Sequence, residues 1–152
     1  TIRAAAQCSA RDQEEMTSFY REEISDVSEH RIAAANCYAM SGLSPDDIDA
    51  AVIYDAFTPN VLLQLEAWNF CQFGEAGDFA LDGNLRPDGR LPTNTHGGQL
   101  SEAYIHGVNG LVEATRLVRG QSVNQPAKQV EHALVTSGVG IPTGGAILGK
   151  LA

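Results

Sequence analysis

The sequence has 152 residues, the length of one ordinary domain, and its 43% hydrophobic content suffices for a buried core. Its formal net charge of -9 argues against a nucleic-acid binder or a protein that docks on anionic lipid, since both need clustered basic residues. No apolar run is long enough to span a membrane and no secretory signal is recognisable, so we expect a cytoplasmic protein. The absence of an initiator Met and the 15 glycines are what we expect of a piece of a longer chain.

The hydrophobic pattern alternates between strand and helix signals. In chain order it predicts a strand over residues 2–7, a helix between residues 28 and 42, a strand over 50–54, a helix over 60–70, a longer helix over 99–119, and strands over 130–137 and 144–151. Such an alternation indicates the α/β class, with a mixed, mostly parallel sheet flanked by helices. We expect one domain over residues 1–152, in which residues 1–27 are a lead-in surface segment.

Other local signals fill in the chain between these elements. Ser28 is a suitable N-cap, and Ser44 followed by Pro45 begins a further short turn. The acidic stretch 12–29 has few apolar anchors and is typical of a solvated, partly helical surface. The segment 74–89 is rich in turn residues, and we expect it to be irregular.

The three cysteines, Cys8, Cys37 and Cys71, give no sign of a disulfide framework or a metal site. Their number is odd, and none of them forms a Cys-x-x-Cys pair. We therefore expect three small packed side chains in a reducing compartment and no bound metal.

Two segments carry the residue types that could do chemistry. Tyr54-Asp55-Ala56-Phe57 follows a predicted buried strand, and the carboxyl ends of strands are where α/β proteins place their sites. Asn94-Thr95-His96-Gly97-Gly98 precedes the predicted long helix. That helix would carry Tyr104 and His106, with His106 on a different face, and its Gly107 and Gly110 allow either close approach of a ligand or plain helix packing.

In order and spacing, these segments resemble the thiolase family. The stretch from Asn94 to Gly110 resembles the thiolase signature in which a Gly-His-Pro tripeptide carries the catalytic His. Tyr54-Asp55-Ala56-Phe57 is similar to the Asn-Glu-Ala-Phe loop of thiolases, or to His-Asp-Cys-Phe in their sterol-carrier branch. Val135 to Gly140 lies where thiolases have a last active-site turn, Cys-x-Gly. The resemblance runs from about residue 28 to the end and implies the fold of a thiolase C-terminal half.

The departures from the thiolase pattern change the implied chemistry. No Cys lies between Val135 and Gly140, where Ser137 is the nearest equivalent. The catalytic His is replaced by Tyr104, and the Asn or His of the other loop by Tyr54. With a tyrosine at both positions, the sequence resembles the lipid-transfer-protein-like aldolases of steroid side-chain degradation. Those enzymes cleave a β-hydroxyacyl-CoA by a retro-aldol reaction. The resemblance thus implies Tyr54 and Tyr104 as catalytic acid and base, in an order that the sequence leaves open.

The same resemblance suggests which residues contact the substrate. Asp55 would orient Tyr54 or its loop, and Ser137 would either donate a hydrogen bond to the thioester oxygen or simply make the turn. His30 and His132 are expected to be structural. The predicted substrate-binding set is Asp55, Phe57, His96, Gly97, Gly98, Ser137 and Gly138.

The resemblance also implies what the chain works with. A coenzyme A thioester would be the substrate, with no covalently bound cofactor. An N-terminal thiolase half would complete the subunit, an OB-fold protein would be its partner, and the complete subunit would form a homodimer. Two alternatives remain open: a non-catalytic module that binds acyl-CoA or a partner, with the tyrosines as packing residues, and a thiolase-type acyltransferase, which the missing Cys and His disfavour.

Overall fold

A computed structural model describes residues 1–11, 23, 25–140 and 143–151, and these fold around one four-stranded sheet. In chain order the elements are β1 (Ile2–Cys8), α1 (Ser28–Ser41), a 3-10 turn (Pro45–Asp47), β2 (Ala50–Val52), α2 (Thr58–Ala67), α3 (Ala76–Leu81), α4 (Val108–Arg119), β3 (His132–Ser137) and β4 (Thr143–Gly149). The α/β class and the flanking helices are confirmed.

The sheet is mixed, as expected, but the prediction that it is mostly parallel is wrong. Its strand order is β1-β4-β3-β2, and only β2 and β3 run parallel. Both pairs that involve β4 are antiparallel. The reason is the connection between the last two strands: β3 ends at Ser137 and β4 begins at Thr143, which leaves no room for a crossover helix.

Helices cover the two faces of the sheet differently. On one face, α1 packs on β1 and β4, and the largest apolar cluster forms around Trp68, Leu65 and Ile147. On the other face, α4 packs on β3 and β2. Gly110 lets α4 approach closely, because a Cβ there would lie 3.0 Å from Val52 Cγ1, which assigns this glycine to helix–sheet packing.

Several element boundaries differ from the prediction. Strand β2 ends at Val52, and the predicted long helix begins only at Val108. The segment 74–89 contains the short helix α3, and α1 is preceded by Val27 as its N-cap in place of Ser28. Most of the acidic stretch 12–29 lies outside the described residues. None of the helices in the described part of the chain has the length and apolar character that crossing a bilayer requires.

Candidate active site

The candidate site lies at the edge of the sheet where β2 and β3 both end. Because these two strands are parallel neighbours, their carboxyl ends meet, and the segments that follow them lie side by side. Tyr54 follows β2 by two residues, and Ser137 is the last residue of β3. The first strand-exit loop and the last turn of the thiolase pattern are thereby brought to one place.

Tyr54 and Tyr104 meet through their hydroxyl groups. Their Oη atoms lie 3.4 Å apart, although the two residues are 50 positions apart in the chain. This is longer than a usual hydroxyl–hydroxyl hydrogen bond of about 2.8 Å, and such contacts often tighten only when substrate binds. Tyr54 is only 4% exposed, and its burial, followed by the contact with Tyr104, raises its pKa to about 12. Tyr54 therefore holds its proton at neutral pH.

Tyr104 lies in an irregular segment, which corrects the prediction of a helix over 99–119. Its φ is 50°, that of His106 is 48°, and Gly107, the N-cap of α4, has a φ of 97°. The prediction that His106 points away from Tyr104 is also wrong, because their rings meet edge to face with centroids 5.1 Å apart. Left-handed backbone at residues other than glycine costs energy and clusters at functional sites.

Asp55 anchors the glycine-rich loop, which comprises residues 94–99. Its Oδ1 accepts a hydrogen bond from the Gln99 N–H at 3.0 Å. A Cβ at Gly98 would lie 1.9 Å from Asp55 Oδ2, so only glycine fits there. Asn94 ties the same loop to the end of β2: its side-chain amide accepts from the Ile53 N–H at 2.7 Å and donates to the Ile53 carbonyl at 3.0 Å.

The glycine-rich loop also carries two buried polar atoms that lack a partner among the described residues. They are His96 Nδ1 and Gln99 Oε1. Gln99 is 4% exposed, so its carbonyl oxygen has little access to water. Buried polar groups nearly always find a hydrogen bond. Both atoms are therefore suited to contact a ligand or another part of a larger protein.

His30, on helix α1, holds the turn that follows β3. Trp68 Nε1 donates to His30 Nδ1 at 3.3 Å, which leaves His30 Nε2–H to donate to the Gly138 carbonyl at 2.9 Å. Burial lowers the pKa of His30 to about 4, so the ring is neutral. Glu29 Oε1 accepts from the Gly140 N–H at 3.1 Å. His30 is structural, as expected, and what it supports is the turn that holds Gly138.

The other predicted residues surround this edge at different degrees of exposure. Ser137 is exposed, and a groove of about 330 Å³ runs past it between α4 and β4. His106, Gly107, Leu111 and Ala146 also line this groove. Phe57 lies at the start of α2 and is 65% exposed.

Sequence reasoning missed Gln64 and Thr136, which bond the backbone of Tyr54. Gln64 Nε2 donates to the Tyr54 carbonyl at 2.7 Å, and Thr136 Oγ1 accepts from the Tyr54 N–H at 2.9 Å. One signal was available: Gln64 interrupts the run Val61, Leu62, Leu63 and Leu65 of α2 with a polar residue. Among the described residues no three His, Cys, Asp or Glu side chains are grouped as metal ligands.

Comparison with known proteins defines the class. A family model described as thiolase C-terminal domain-like matches residues 10–149. The chain belongs to this family, and the resemblance carried by its two loops is confirmed.

Individual relatives are more specific. Over 148 residues, 97% of this chain, it is 60% identical to a steroid side-chain-cleaving aldolase of Thermomonospora curvata. It is 54% identical over the same length to a 17-hydroxy-3-oxo-4-pregnene-20-carboxyl-CoA lyase of Mycobacterium tuberculosis. A solved Ltp2-ChsH2(DUF35) aldolase matches 98% of this chain and 39% of its own, with a TM-score of 0.94 and 60% identity. The chain spans 38% of the length of the two curated relatives.

Proposed function

We propose that this chain is the C-terminal part of an enzyme that cleaves a steroid-type β-hydroxyacyl-CoA by a retro-aldol reaction, with Tyr54 and Tyr104 as its proton-transfer pair. The observation that carries the proposal is the 3.4 Å approach of the two hydroxyls at the edge where β2 and β3 end. The names of the relatives, an aldolase and a CoA lyase, supply the reaction class.

The two tyrosines can carry the protons that this cleavage moves, and we propose Tyr104 beside the β-hydroxyl and Tyr54 beside the enolate carbon. As the bond between the α and β carbons breaks, its electron pair forms the enolate of the thioester, and the β-hydroxyl becomes a ketone or aldehyde. The hydroxyl proton passes to Tyr104, the proton of Tyr104 crosses to Tyr54, and the proton of Tyr54 goes to the enolate carbon. Both phenols are neutral before and after, so no free phenolate has to form.

Tyr54 enters this relay with a proton to give. Its pKa is raised to about 12, mainly by burial, so it is protonated when the enolate forms. Tyr104 is half-buried, and we place it next to the substrate hydroxyl. Retro-aldol cleavage forms no acyl-enzyme, and a thiolate nucleophile is not needed.

The predicted substrate contacts fit this scheme. We propose that His96 and Ser137 contact the CoA thioester, since His96 has a buried nitrogen that no described residue bonds and Ser137 is exposed beside the groove. We propose that the backbone at Gly97, Gly98 and Gly138 approaches it, and that Phe57 contributes an exposed apolar surface. Asp55 holds the loop of Gly97 and Gly98 through the Gln99 N–H. No covalently bound cofactor is part of the proposal.

An N-terminal thiolase half is proposed to complete the subunit. Helix α4 leaves an apolar stripe facing outward, with Val108, Leu111 and Val112 exposed by 58%, 42% and 45%. Exposed apolar stripes of this kind mark interfaces. The composition of the solved relative, Ltp2-ChsH2(DUF35), supports an additional partner protein, which we take to be of the OB-fold type, and we propose a homodimer of the complete subunit. The three free thiols support a reducing, cytoplasmic location.

The decisive experiment measures turnover of a β-hydroxyacyl-CoA by the complete protein with its partner. Tyr54→Phe and Tyr104→Phe should each lower kcat by about 100-fold or more, since a positioned acid or base contributes 10² to 10⁴. Tyr38→Phe is the matched control, because it also removes a tyrosine hydroxyl, one that donates to the Trp68 carbonyl at 2.9 Å.

Other outcomes separate the alternatives. Normal turnover in both tyrosine variants contradicts the proposed mechanism. Ligand binding without any turnover by the unmodified protein would make the chain part of a binding module. Condensation of acetyl-CoA would make it part of an acyltransferase.

A further inference from the structure

The backbone of Tyr54 is held by side chains where strand pairing has stopped. The ladder between β2 and β3 ends at the pair Val52 and Val135. Beyond it, the Tyr54 N–H donates to Thr136 Oγ1 at 2.9 Å and the Tyr54 carbonyl accepts from Gln64 Nε2 at 2.7 Å.

The two side chains also bond each other. The Tyr54 N–H can only donate, so the Thr136 hydroxyl accepts from it and donates its own proton to Gln64 Oε1 at 2.5 Å. This leaves the amide nitrogen of Gln64 facing the Tyr54 carbonyl, with a further bond to the Asn60 carbonyl at 2.9 Å. Every polar atom of the two side chains is used, and each assignment fixes the next.

All three residues are shielded from water. Gln64 is 0%, Thr136 2% and Tyr54 4% exposed. A buried polar group that loses its partner destabilises the structure, because water does not replace the bond. The network therefore has one low-energy arrangement, in which strand β3 holds the N–H of Tyr54 and helix α2 holds its carbonyl.

We propose that Gln64 and Thr136 are positioning residues that set the Tyr54 hydroxyl against Tyr104. The inference rests on the proposed function. It adds that proton transfer depends on the pair Gln64 and Thr136, here called the clamp, which does not touch the reacting atoms. The phenol hydroxyl lies at the far end of its side chain, so a small rotation of the Tyr54 backbone displaces it by a larger distance. A displacement of about 1 Å in a catalytic group can cost 10²-fold in rate.

The test compares two variants of Thr136 in the complete enzyme with its partner. Thr136→Val keeps the shape of the side chain but removes its hydroxyl. The Tyr54 N–H and Gln64 Oε1 then each lose a hydrogen-bond partner. We expect kcat to fall 10- to 100-fold with KM changed less than about threefold. Thr136→Ser restores the hydroxyl and should recover most of kcat. Thr93→Val is the matched control, since it removes a hydroxyl that donates to the Leu91 carbonyl.

A double variant distinguishes positioning from general support of the fold. In a Tyr54→Phe background, adding Thr136→Val should lower kcat by less than about twofold, because the group it positions is already gone. If the two losses multiply, Thr136 acts elsewhere and the proposal is overturned. Normal turnover of Thr136→Val overturns it as well.

The outcome also separates this proposal from the function on which it rests. If Tyr54→Phe alone turns over normally, the proposed relay is wrong, whatever Thr136 does. If Tyr54→Phe is impaired while Thr136→Val is not, only the clamp is wrong. Gln64→Met serves as the second variant, with the same expected loss of kcat. If neither it nor Thr136→Val folds, the network is a requirement of folding and the positioning role is rejected.

Discussion

The two tyrosines of the candidate site are held in opposite ways. Tyr54 is buried, and side chains of α2 and β3 bond both of its backbone groups. Tyr104 lies half-buried in a segment whose backbone turns left-handed at Tyr104 and again at His106, with one edge-to-face ring contact beside it. This chain therefore holds the backbone of Tyr54 with its own buried side chains, whereas Tyr104 depends on a loop with left-handed backbone. Variants near Tyr54 should therefore cost more stability than variants near Tyr104.

The largest effect is expected at Gly98, beside the loop that Tyr54 begins. Gly98→Ala combines a φ of 79° with a Cβ 1.9 Å from Asp55 Oδ2, so either the Asp55 carboxylate gives up its bond to the Gln99 N–H or the loop moves. We expect a loss of about 3–5 kcal/mol in the free energy of unfolding of the complete protein, from left-handed strain plus the clash.

Gly74→Ala is the matched control for that prediction. Its φ is 86°, yet a Cβ there would meet nothing within 4 Å. Strain alone should cost about 1–2 kcal/mol. Equal urea midpoints for the two variants would show that the contact between Gly98 and Asp55 is not tight.

A second effect concerns His30, which supports the turn at Gly138. Its pKa is about 4 in the folded protein because burial disfavours the charged ring, against about 6.5 in the unfolded chain. Stability from the neutral ring is complete above pH 6.5 and is lost as the pH falls toward 4, because the unfolded chain then binds a proton that the folded one does not. The difference over this window is about 3 kcal/mol.

Urea unfolding of the complete protein between pH 4 and 7 measures this loss. His30→Gln should weaken the dependence on pH, although it lowers stability at pH 7. His132→Gln is the control, since His132 is only half-buried and its ring bonds the Asp47 carbonyl near the surface. An unchanged slope for His30→Gln would mean that other groups cause the acid sensitivity.

The positions of the two tyrosines were not equally predictable from the sequence. The strand exit before Tyr54 was predictable, because an unbroken apolar run followed by Asp55 and Ala56 signals a buried strand that ends. The loop at Tyr104 was not, since Leu100, Tyr104 and Leu111 recur at helical spacing while the backbone turns left-handed at Tyr104. A periodic pattern cannot report that reversal, because it results from contacts made in the folded chain.

The contacts that Gln64 and Thr136 make with Tyr54 could not be predicted from the sequence either. Gln64 stands out as a polar residue in an apolar helix run, but its partner Thr136 lies 72 positions away. The parallel pairing of β2 with β3 places the start of α2 beside the end of β3, where the two side chains meet. The sheet itself was predicted as mostly parallel, since alternation of strands and helices says little about the final hairpin of β3 and β4.

The smallest effect is expected at His106, and it tests the weaker of the two supports. His106→Ala removes the ring that meets Tyr104 at 5.1 Å, a contact worth about 0.5–1.5 kcal/mol. The urea midpoint of the complete protein should change little, while kcat falls several-fold because Tyr104 loses its orientation. His106→Phe keeps an aromatic edge and should restore most of the rate. A loss of stability in His106→Ala as large as that in Gly98→Ala would erase the difference between the two tyrosines. It would mean that the segment around Tyr104 is fixed by this chain as firmly as the buried end of β2.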